Sequence, residues 1–325
     1  MLKQTMQSAV IYSEKYKLHK TGEHIEVPER MDAVINGLKS SPLWGQVPVL
    51  PPRPAVRSEL ELVHEPAMIE FVEQVCSAGG GILDYGDTVA SPESYDIACL
   101  AAGGALLGIE YLKSGKYDAV SVLCRPPGHH ATPKSSLGFC IFNNAAIATR
   151  YALSSGYEKI GIVDWDVHHG NGTQDTFYDE PRVLYTSTHR FPFYPGSGRL
   201  DETGEGAGTG FTVNIPLPAG CGNAEYIAAY QEVIIPALKR FGPDLLVVSA
   251  GFDNHCNDPL GGMNLDDKSY AEIASMLCQF HVPILMVLEG GYDHGALAAS
   301  IPLVISAWQK NGKIGHREHS RASLT

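Results

Sequence analysis

The stretch "KIGIVDWDVHHGNG" at residues 159–172 joins a short apolar run to a dense polar cluster. The run is continuous and rich in branched side chains, which is typical of a strand buried on both faces of a sheet. Aspartates, histidines and glycines follow at once, with little to explain them as core residues. The stretch therefore predicts a buried parallel strand that ends in a cluster of polar side chains.

The same kind of apolar run recurs along the chain. Seven runs predict strands, at residues 9–13, 119–124, 159–165, 182–189, 211–217, 244–251 and 283–291. Helical patterns lie between them, including 92–115 and 223–242, and the second of these closes on basic residues and a glycine. Alternating strands and helices predict an α/β fold with a parallel sheet covered on both faces. Apart from a Pro-rich surface connection at 47–57, no linker or repeat interrupts the chain, so we expect one domain over residues 1–325.

The composition limits the class of protein. The chain has 325 residues, 44% of them hydrophobic and 18% charged, as in soluble globular proteins. A net charge of −12 argues against direct nucleic-acid binding and is compatible with a cationic ligand or with solubility alone. The chain shows no uninterrupted membrane-length apolar span and no signal-peptide pattern at its start, so we expect a cytoplasmic protein without a membrane partner. The seven cysteines are scattered, which favours neither disulfides nor a thiolate zinc site.

Polar clusters follow five of the predicted strands. They are "RPPGHH" (125–130), "DWDVHH" (164–169), "STHR" (187–190), "GFDNH" (251–255) and "GGY" (290–292). The carboxyl ends of parallel strands share one edge of a sheet, and ligands bind at that edge. We therefore expect the five clusters to converge.

Three residues of these clusters suit a metal ion. Asp166 and His168 are two positions apart, so both side chains point to the same side of an extended segment. Alone, this pair could also be a solvated turn, but Asp253 after another strand supplies a third ligand and leaves a position open. Two carboxylates and one imidazole suit Zn²⁺, with Fe²⁺ and Co²⁺ as alternatives.

The adjacent histidines His129 and His130 suit acid-base chemistry, because two neighbouring imidazoles are poor core material. Asp164 and Asn171 lie in the right segment to accept hydrogen bonds from these rings and so fix their tautomers. Tyr292 could donate its hydroxyl to a developing oxyanion, although simple packing is the default for a Gly-Gly-Tyr sequence. For His169 we expect structural support.

Six motifs together carry a resemblance to a known family. They are "CRPPGHHA", "GFCIFNNAAIA", "DWDVHHGNGTQ", "YPGSG", "AGFDNHCNDPLGG" and "EGGY", and they occur in one order. With "HIEVPERM" at 24–31 the resemblance covers nearly the whole chain. In this order they resemble the zinc-dependent histone deacetylase superfamily, in particular its class II branch with the bacterial histone-deacetylase-like and acetylpolyamine amidohydrolases. The resemblance implies a three-layer arginase/deacetylase-type α/β fold with about eight mostly parallel strands, and hydrolysis of an N-acyl amine.

The resemblance also implies roles for individual residues. Zinc would be bound by Asp166, His168 and Asp253. His130 would act as general base on the attacking water and then as acid toward the leaving amine, while His129 would act electrostatically and Tyr292 would polarise the acyl carbonyl. Potassium ions would lie behind the zinc site, at positions matching Asp164, Asp166, His168, Ser187 and Thr188, with Phe177 and Val183 near a second such site; strand ends without an ion are the alternative.

The substrate tunnel of the family matches Gly138, Phe139, Tyr194 and Leu260. Tyr194 replaces the commoner phenylalanine, and Leu260 stands where the family's polyamine deacetylase has a glutamate. Asn171 replaces the aspartate of class I enzymes, which should lower the basicity of His130. Arg30 matches an arginine in an internal cavity behind the metal, with helix capping or a surface salt bridge as the alternatives.

The sequence leaves several functions open. The first is a zinc-dependent deacylase whose substrate is a small-molecule or peptide N-acyl amine, such as acetyl-lysine. An acetylpolyamine amidohydrolase is the alternative within the same class; strict polyamine specificity is disfavoured by Leu260 and by the compact segment 189–198. A catalytically silent module that binds acyl-lysine is the alternative of another class. An arginase-like ureohydrolase would need two metals, whereas the chain offers one well-formed ligand set.

Overall fold

The computed structural model describes residues 6–311, so the ends of the predicted single domain, 1–5 and 312–325, lie outside the described residues. The strands are β1 (Ser8–Ile11), β2 (Val49–Leu50), β3 (Gly81–Ile82), β4 (Val89–Ala90), β5 (Ala119–Val122), β6 (Ile160–Asp164), β7 (Val183–Arg190), β8 (Thr212–Leu217), β9 (Leu245–Ala250) and β10 (Ile284–Leu288). The α-helices are α1 (Glu29–Ser40), α2 (Arg57–Leu60), α3 (Pro66–Ser77), α4 (Ser94–Lys113), α5 (Asn144–Ser154), α6 (Asn171–Phe177), α7 (Asn223–Ala229), α8 (Ile235–Phe241), α9 (Asp267–Leu277) and α10 (His294–Asn311).

The main sheet has eight strands in the order β2-β1-β5-β10-β9-β6-β7-β8, and every neighbouring pair is parallel. The prediction of about eight mostly parallel strands is confirmed. Each of the seven predicted runs overlaps one strand of this sheet, and only β1 and β7 extend beyond their predicted runs, by one residue each. The eighth strand, β2, lies inside the Pro-rich segment 47–57, which we expected to be only a surface connection. Prolines on both sides of β2 are tolerated because a two-residue edge strand needs few ladder hydrogen bonds.

The helices form two packed groups, as expected for layers on opposite faces of a sheet. Helices α1, α9 and α10 pack together, and α4 packs against α5, α3 and β5. By length and composition α4 is apolar enough to cross a membrane, but 72% of its apolar window is buried inside the fold, and core helices pass the same test. Its contacts with the sheet and α5 account for its apolar composition.

The predicted helix over 223–242 is divided by a π-helical turn at Tyr230–Ile234, between α7 and α8. Pro236 lies at the start of α8, directly after this turn. Gly242 ends α8 in the left-handed conformation (φ 67°), which confirms the glycine as a helix-ending signal.

The central strands β5, β10, β9 and β6 are buried along their whole length, as their continuous apolar sequences predict. Their register brings Asp164, Ser249 and Val287 level with one another. The chain therefore leaves these strands at nearly the same height, and the loops that follow begin side by side.

Candidate active site

Four of the five predicted clusters, those after β5, β6, β9 and β10, converge at the carboxyl edge of the sheet, as predicted. The fifth, at 187–190, does not follow a strand but forms the last residues of β7. The side chains of Asp164, Asp166 and Asp253 are fully buried, and those of His129 and His130 are nearly so. Buried carboxylates and imidazoles need partners, because an unpaired polar group away from water is costly. The contacts among these groups define the centre of the site.

Asp166, His168 and Asp253 place one ligand atom each within 4.8 Å of one another. His168 Nδ1 lies 3.1 Å from Asp166 Oδ1 and 3.2 Å from Asp253 Oδ2. Zinc bonds of about 2.0–2.1 Å place tetrahedral ligand atoms roughly 3.3 Å apart, which agrees with both distances. Asp253 Oδ2 is also buried without a hydrogen-bond partner. The three residues therefore fit a metal ion that the orphaned oxygen would help to bind.

Main-chain groups orient the two carboxylates. Asp166 Oδ2 accepts a hydrogen bond from the Gly290 N–H (2.8 Å), and Asp253 Oδ1 accepts one from the Val167 N–H (2.9 Å). A Cβ atom at Gly251 or Gly290 would overlap these carboxylates. Both glycines occur in the quoted motifs, but their reason is visible only in three dimensions: they let the backbone approach the candidate ligands closely.

The electrostatics of the three residues favour a cation. Burial and then the neighbouring Asp166 carboxylate raise the pKa of Asp253 to about 7. Burial alone lowers the pKa of His168, but the neighbouring carboxylates of Asp166 and Asp253 outweigh burial and raise that pKa to about 9. Without a metal, Asp253 and His168 thus retain protons that a divalent cation would replace.

The histidine dyad, His129 and His130, has two different partners. His129 Nδ1 lies 3.1 Å from Asp164 Oδ2, and His130 Nδ1 lies 2.8 Å from Asn171 Oδ1. These are the hydrogen bonds that the sequence predicted. Burial lowers the pKa of His129, but Asp166 and Asp164 outweigh it and raise the pKa to about 10, whereas burial and the His129 charge lower that of His130. One ring is thus held charged and its neighbour neutral.

Tyr292 reaches the same centre from the loop after β10. Its ring lies 5.2 Å from the Arg30 guanidinium and 5.9 Å from the Phe139 ring. Burial raises the pKa of its phenol well above the usual value, so the hydroxyl stays protonated and can donate. Asp258, which sequence reasoning missed, fixes this loop by accepting the Tyr292 N–H (2.7 Å) and the Leu260 N–H (2.9 Å).

Two of the predicted tunnel residues, Gly138 and Tyr194, lie beside the dyad, and Phe139 lies beside Tyr292. The Tyr194 ring lies 5.1 Å from the His130 ring, and a Cβ at Gly138 would lie 2.6 Å from His130 Cδ2 and 2.9 Å from the Tyr194 hydroxyl. Phe139 adopts a positive φ of 68°, and its N–H donates to Thr88 Oγ1 (3.0 Å). Leu260 is half-buried on the turn that Asp258 connects to Tyr292. We call Phe139, Tyr194, Leu260 and the loop 84–88 the mouth of the site.

The comparison with known proteins agrees with this geometry. The model of the histone deacetylase domain matches residues 24–308, which contain every residue of the centre. The chain belongs to the histone deacetylase family. It is therefore a deacetylase of the metal-dependent amidohydrolase type, with Asp166, His168 and Asp253 as its candidate metal site.

Individual relatives cover most of this deacetylase. It is 38% identical to a probable deacetylase of Archaeoglobus fulgidus over 90% of this chain and 83% of that protein. It is 39% identical to the mouse polyamine deacetylase HDAC10 over 86% of this chain and 44% of the mouse protein. The crystal structure of the HDA15 HD domain matches with a TM-score of 0.89 and 36% identity, covering 94% of this chain and 89% of that one. This match confirms the predicted fold.

The positions that match potassium ligands lie together in the deacetylase. Asp164 pairs with Ser187 across β6 and β7, and the hydroxyl of Thr188 is buried without a hydrogen-bond partner. Phe177 and Val183 are buried at the end of α6 and the start of β7. A potassium ion at either position stays a prediction.

A buried ionic cluster behind Tyr292 was only partly foreseen. Arg30 is fully buried and donates to the carbonyl oxygens of Glu289 (2.6 Å) and Gly291 (2.7 Å) and to Glu26 Oε1 (2.8 Å). The alternative of a surface salt bridge for Arg30 is therefore wrong. Arg125 donates to the same Glu26 oxygen (2.6 Å). The i, i+4 spacing of Glu26 and Arg30 is compatible with an ion pair between them. The contact of Glu26 with Arg125, far away in sequence, cannot be predicted from that spacing.

His169 provides structural support in the deacetylase, in line with expectation. Its Nδ1 hydrogen-bonds to Ser197 Oγ (2.8 Å) and its Nε2 to Gln174 Oε1 (2.9 Å). Ser197 belongs to the "YPGSG" segment that also carries Tyr194. His169 thus connects the strand end that bears the candidate ligands to the loop that forms one wall of the mouth.

Proposed function

We propose that this deacetylase hydrolyses Nε-acetyl-lysine or a related N-acyl primary amine, with Zn²⁺ as its metal and water as the nucleophile. The observation that supports this most strongly is the triad of Asp166, His168 and Asp253, with its orphaned carboxylate oxygen, beside a neutral imidazole. This combination suits hydrolysis of an unactivated amide, which needs both a Lewis acid and a base.

Two carboxylates and one imidazole suit Zn²⁺, although Fe²⁺ and Co²⁺ accept the same ligands. When bound, the metal would polarise the acyl carbonyl and acidify water at this position. We also propose a potassium ion near Asp164 and Ser187, which lie opposite each other on β6 and β7.

The histidines would move the protons. His130 donates its Nδ1–H to Asn171 Oδ1, so its Nε2 is free to accept a proton from the attacking water. As the amide C–N bond breaks, the same nitrogen would return a proton to the leaving amine, giving a carboxylate and a free amine. The charged His129 beside it would stabilise the negative charge that develops on the acyl group, and the Tyr292 hydroxyl would donate to the acyl oxygen.

The mouth supports a slim, linear substrate. Tyr194 supplies an aromatic wall next to His130, and Phe139 supplies one next to Tyr292. Such walls favour the methylene chain of a lysine side chain. Leu260 places an apolar side chain on the turn beside Tyr292, where a carboxylate would favour a polyamine cation. The similarity to a polyamine deacetylase keeps acetylpolyamines as the second candidate substrate.

Acetate release from a substrate panel tests this proposal. Zinc-loaded and chelator-treated protein would be compared on an acetyl-lysine peptide, acetylspermidine and a small aliphatic acetamide. We expect zinc-dependent turnover, with the highest kcat/KM on the acetyl-lysine peptide. A higher value on acetylspermidine would favour the polyamine alternative, and binding of the peptide without any turnover would contradict the proposal in favour of a silent binding module.

A further inference from the structure

Glu289 follows β10 directly and is a buried carboxylate to which none of the roles above assigns a function. Its side chain is fully buried, and among the described residues no lysine or arginine side chain forms an ion pair with it. Its Oε2 accepts hydrogen bonds from the N–H groups of Gly128 (2.6 Å) and His129 (3.1 Å). Its Oε1 accepts one from the Ser249 hydroxyl (3.2 Å).

Burying the Glu289 carboxylate costs free energy. Burial is the main cause that raises the pKa of Glu289 to about 7, and three hydrogen bonds offset only part of that cost. The preceding residues "ILMVL" are all apolar and buried, so an apolar residue would continue the strand without this penalty. The role of Glu289 therefore depends on the groups that its oxygens bind.

Those groups are the main chain beneath the histidine dyad. Gly128 and His129 belong to the loop that follows β5 and places both imidazole rings. On its other side the loop is packed tightly, since a Cβ at Gly128 would lie 2.6 Å from the Asn144 nitrogen and 2.7 Å from the Phe142 oxygen. The loop is thus fixed between α5 and the Glu289 carboxylate.

The segment of Glu289 also contacts a candidate metal ligand. The next residue, Gly290, donates its N–H to Asp166 Oδ2 (2.8 Å), and Arg30 binds the Glu289 carbonyl (2.6 Å). One short segment therefore contacts both the loop of the dyad and a candidate metal ligand. A shift of Glu289 would change the distance between them.

We propose that Glu289 is a positioning residue that sets the distance between the His129–His130 dyad and the metal-binding carboxylates, through the main chain of Gly128 and His129. This inference rests on the proposed function, since it assigns the dyad to catalysis. It depends on acceptor geometry rather than on charge, because Oε2 can accept both N–H groups whether or not the carboxyl group is protonated. A glutamine offers the same oxygen, and its amide nitrogen can donate to Ser249 Oγ.

The test compares full-length wild type with E289A, E289Q and S249A in three measurements: amide hydrogen exchange of the segment 125–131, kcat and KM on an acetyl-lysine peptide, and zinc per chain. For E289A we expect exchange at Gly128 and His129 about tenfold faster, kcat lower by about 100-fold, and unchanged KM and zinc content. E289Q should stay within about threefold of wild type in kcat and keep wild-type exchange, because its oxygen replaces the lost acceptor.

A wild-type kcat in E289A would overturn the proposal. So would a fall in kcat in E289Q as large as that in E289A with normal amide exchange, because it would show that the charge of Glu289 matters instead. If E289A does not fold, S249A removes only the bond that orients Oε1, and it should accelerate exchange at Gly128 and lower kcat about threefold. No change in either would also overturn the proposal. Wild type that hydrolyses no amide would refute the proposed function alone, since the exchange measurement does not depend on activity.

Discussion

The centre of the site and its mouth differ in how the chain holds their side chains. In the centre, Asp164 ends β6 and Asp253 follows β9, both fully buried and bound by neighbouring residues. At the mouth, Tyr194 is 41% exposed and Tyr85 is wholly exposed, and both lie on loops. The sheet thus fixes the groups that suit the chemistry, while loops form the surface that meets the substrate.

This difference has a physical cause. Parallel ladders hold the ends of β6, β9 and β10 level, so a side chain placed there has little freedom. The loop at 84–88 is held by local hydrogen bonds. Asp84 accepts them from the main-chain N–H groups of Gly86 and Thr88, and Thr88 Oγ1 accepts one from the Phe139 N–H. Substitutions in the centre should therefore change catalysis for every substrate, and those at the mouth should change substrate preference.

The largest effect is expected from Asp253→Ala. It removes the buried oxygen that lacks a partner and one of three candidate ligands. We expect bound zinc to fall from about one per chain to nearly none and kcat/KM to fall by about 1,000-fold or more. Metal analysis after dialysis checks this, with the exposed Asp201→Ala as the matched control, and wild-type zinc content in Asp253→Ala would contradict the assignment.

Tyr292→Phe tests the centre without touching the metal. The phenol is held protonated by burial, and the substitution removes only its donor. We expect kcat to fall by about 100- to 1,000-fold, with KM and zinc content little changed. Steady-state kinetics checks this; a kcat within a factor of two of wild type would exclude the hydroxyl from the reaction and would favour packing as the role of Tyr292.

The contrast also explains how much could be read from the sequence. The seven apolar runs predicted every strand of the main sheet except β2, and the polar clusters at five of them predicted the convergence of Asp166, His168 and Asp253, because the carboxyl ends of parallel strands share one edge. Asp258 and Glu289 were missed because they act on main-chain N–H groups far away in sequence, which no local pattern reveals. Substrate preference depends on loops whose sequences carry weak patterns, so the sequence alone does not distinguish an acetyl-lysine substrate from an acetylpolyamine.

Asn171→Ala is expected to have an intermediate effect. It removes the acceptor that orients His130, at 2.8 Å, while the carboxylates keep their own contacts. We expect kcat to fall by about 10- to 100-fold on all substrates, with normal zinc content. Asn171→Asp keeps an acceptor at this position and serves as the control. Equal losses in both variants would show that the hydrogen bond itself is not what matters.

The buried residue His64 should make the folded protein less stable in acid. His64 is buried, its Nδ1 bonds to Thr132 O and its Nε2 accepts the Asn143 N–H, so it must be neutral, and burial lowers its pKa to about 4. The unfolded chain binds this proton below its ordinary pKa of about 6.5. The stabilisation is complete above pH 6.5 and is lost as the pH falls toward 4, by up to about 1.4 kcal/mol per pH unit.

Denaturant unfolding at a series of pH values measures this slope. His64→Gln can form both hydrogen bonds without titrating, so its stability should depend less on pH than that of wild type in this range. Identical slopes in the two proteins would contradict the role given to His64.

The smallest effect is expected from Tyr194→Phe at the mouth. The substitution removes a hydroxyl from a partly exposed ring and leaves the contact with His130 intact. We expect kcat to be unchanged and the ratio of kcat/KM between an acetyl-lysine peptide and acetylspermidine to shift by about threefold or less. A fall in kcat on both substrates would mean that Tyr194 takes part in catalysis, and it would contradict the distinction between the centre and the mouth.

The central claim is that deacetylation depends on one divalent cation held by Asp166, His168 and Asp253. Titrating metal-stripped protein with Zn²⁺ while following acetate release from an acetyl-lysine peptide tests it most directly. The structure predicts no activity without metal, a linear rise to one equivalent per chain and a plateau beyond it. Full activity in the stripped protein, or a break at two equivalents, would contradict the claim.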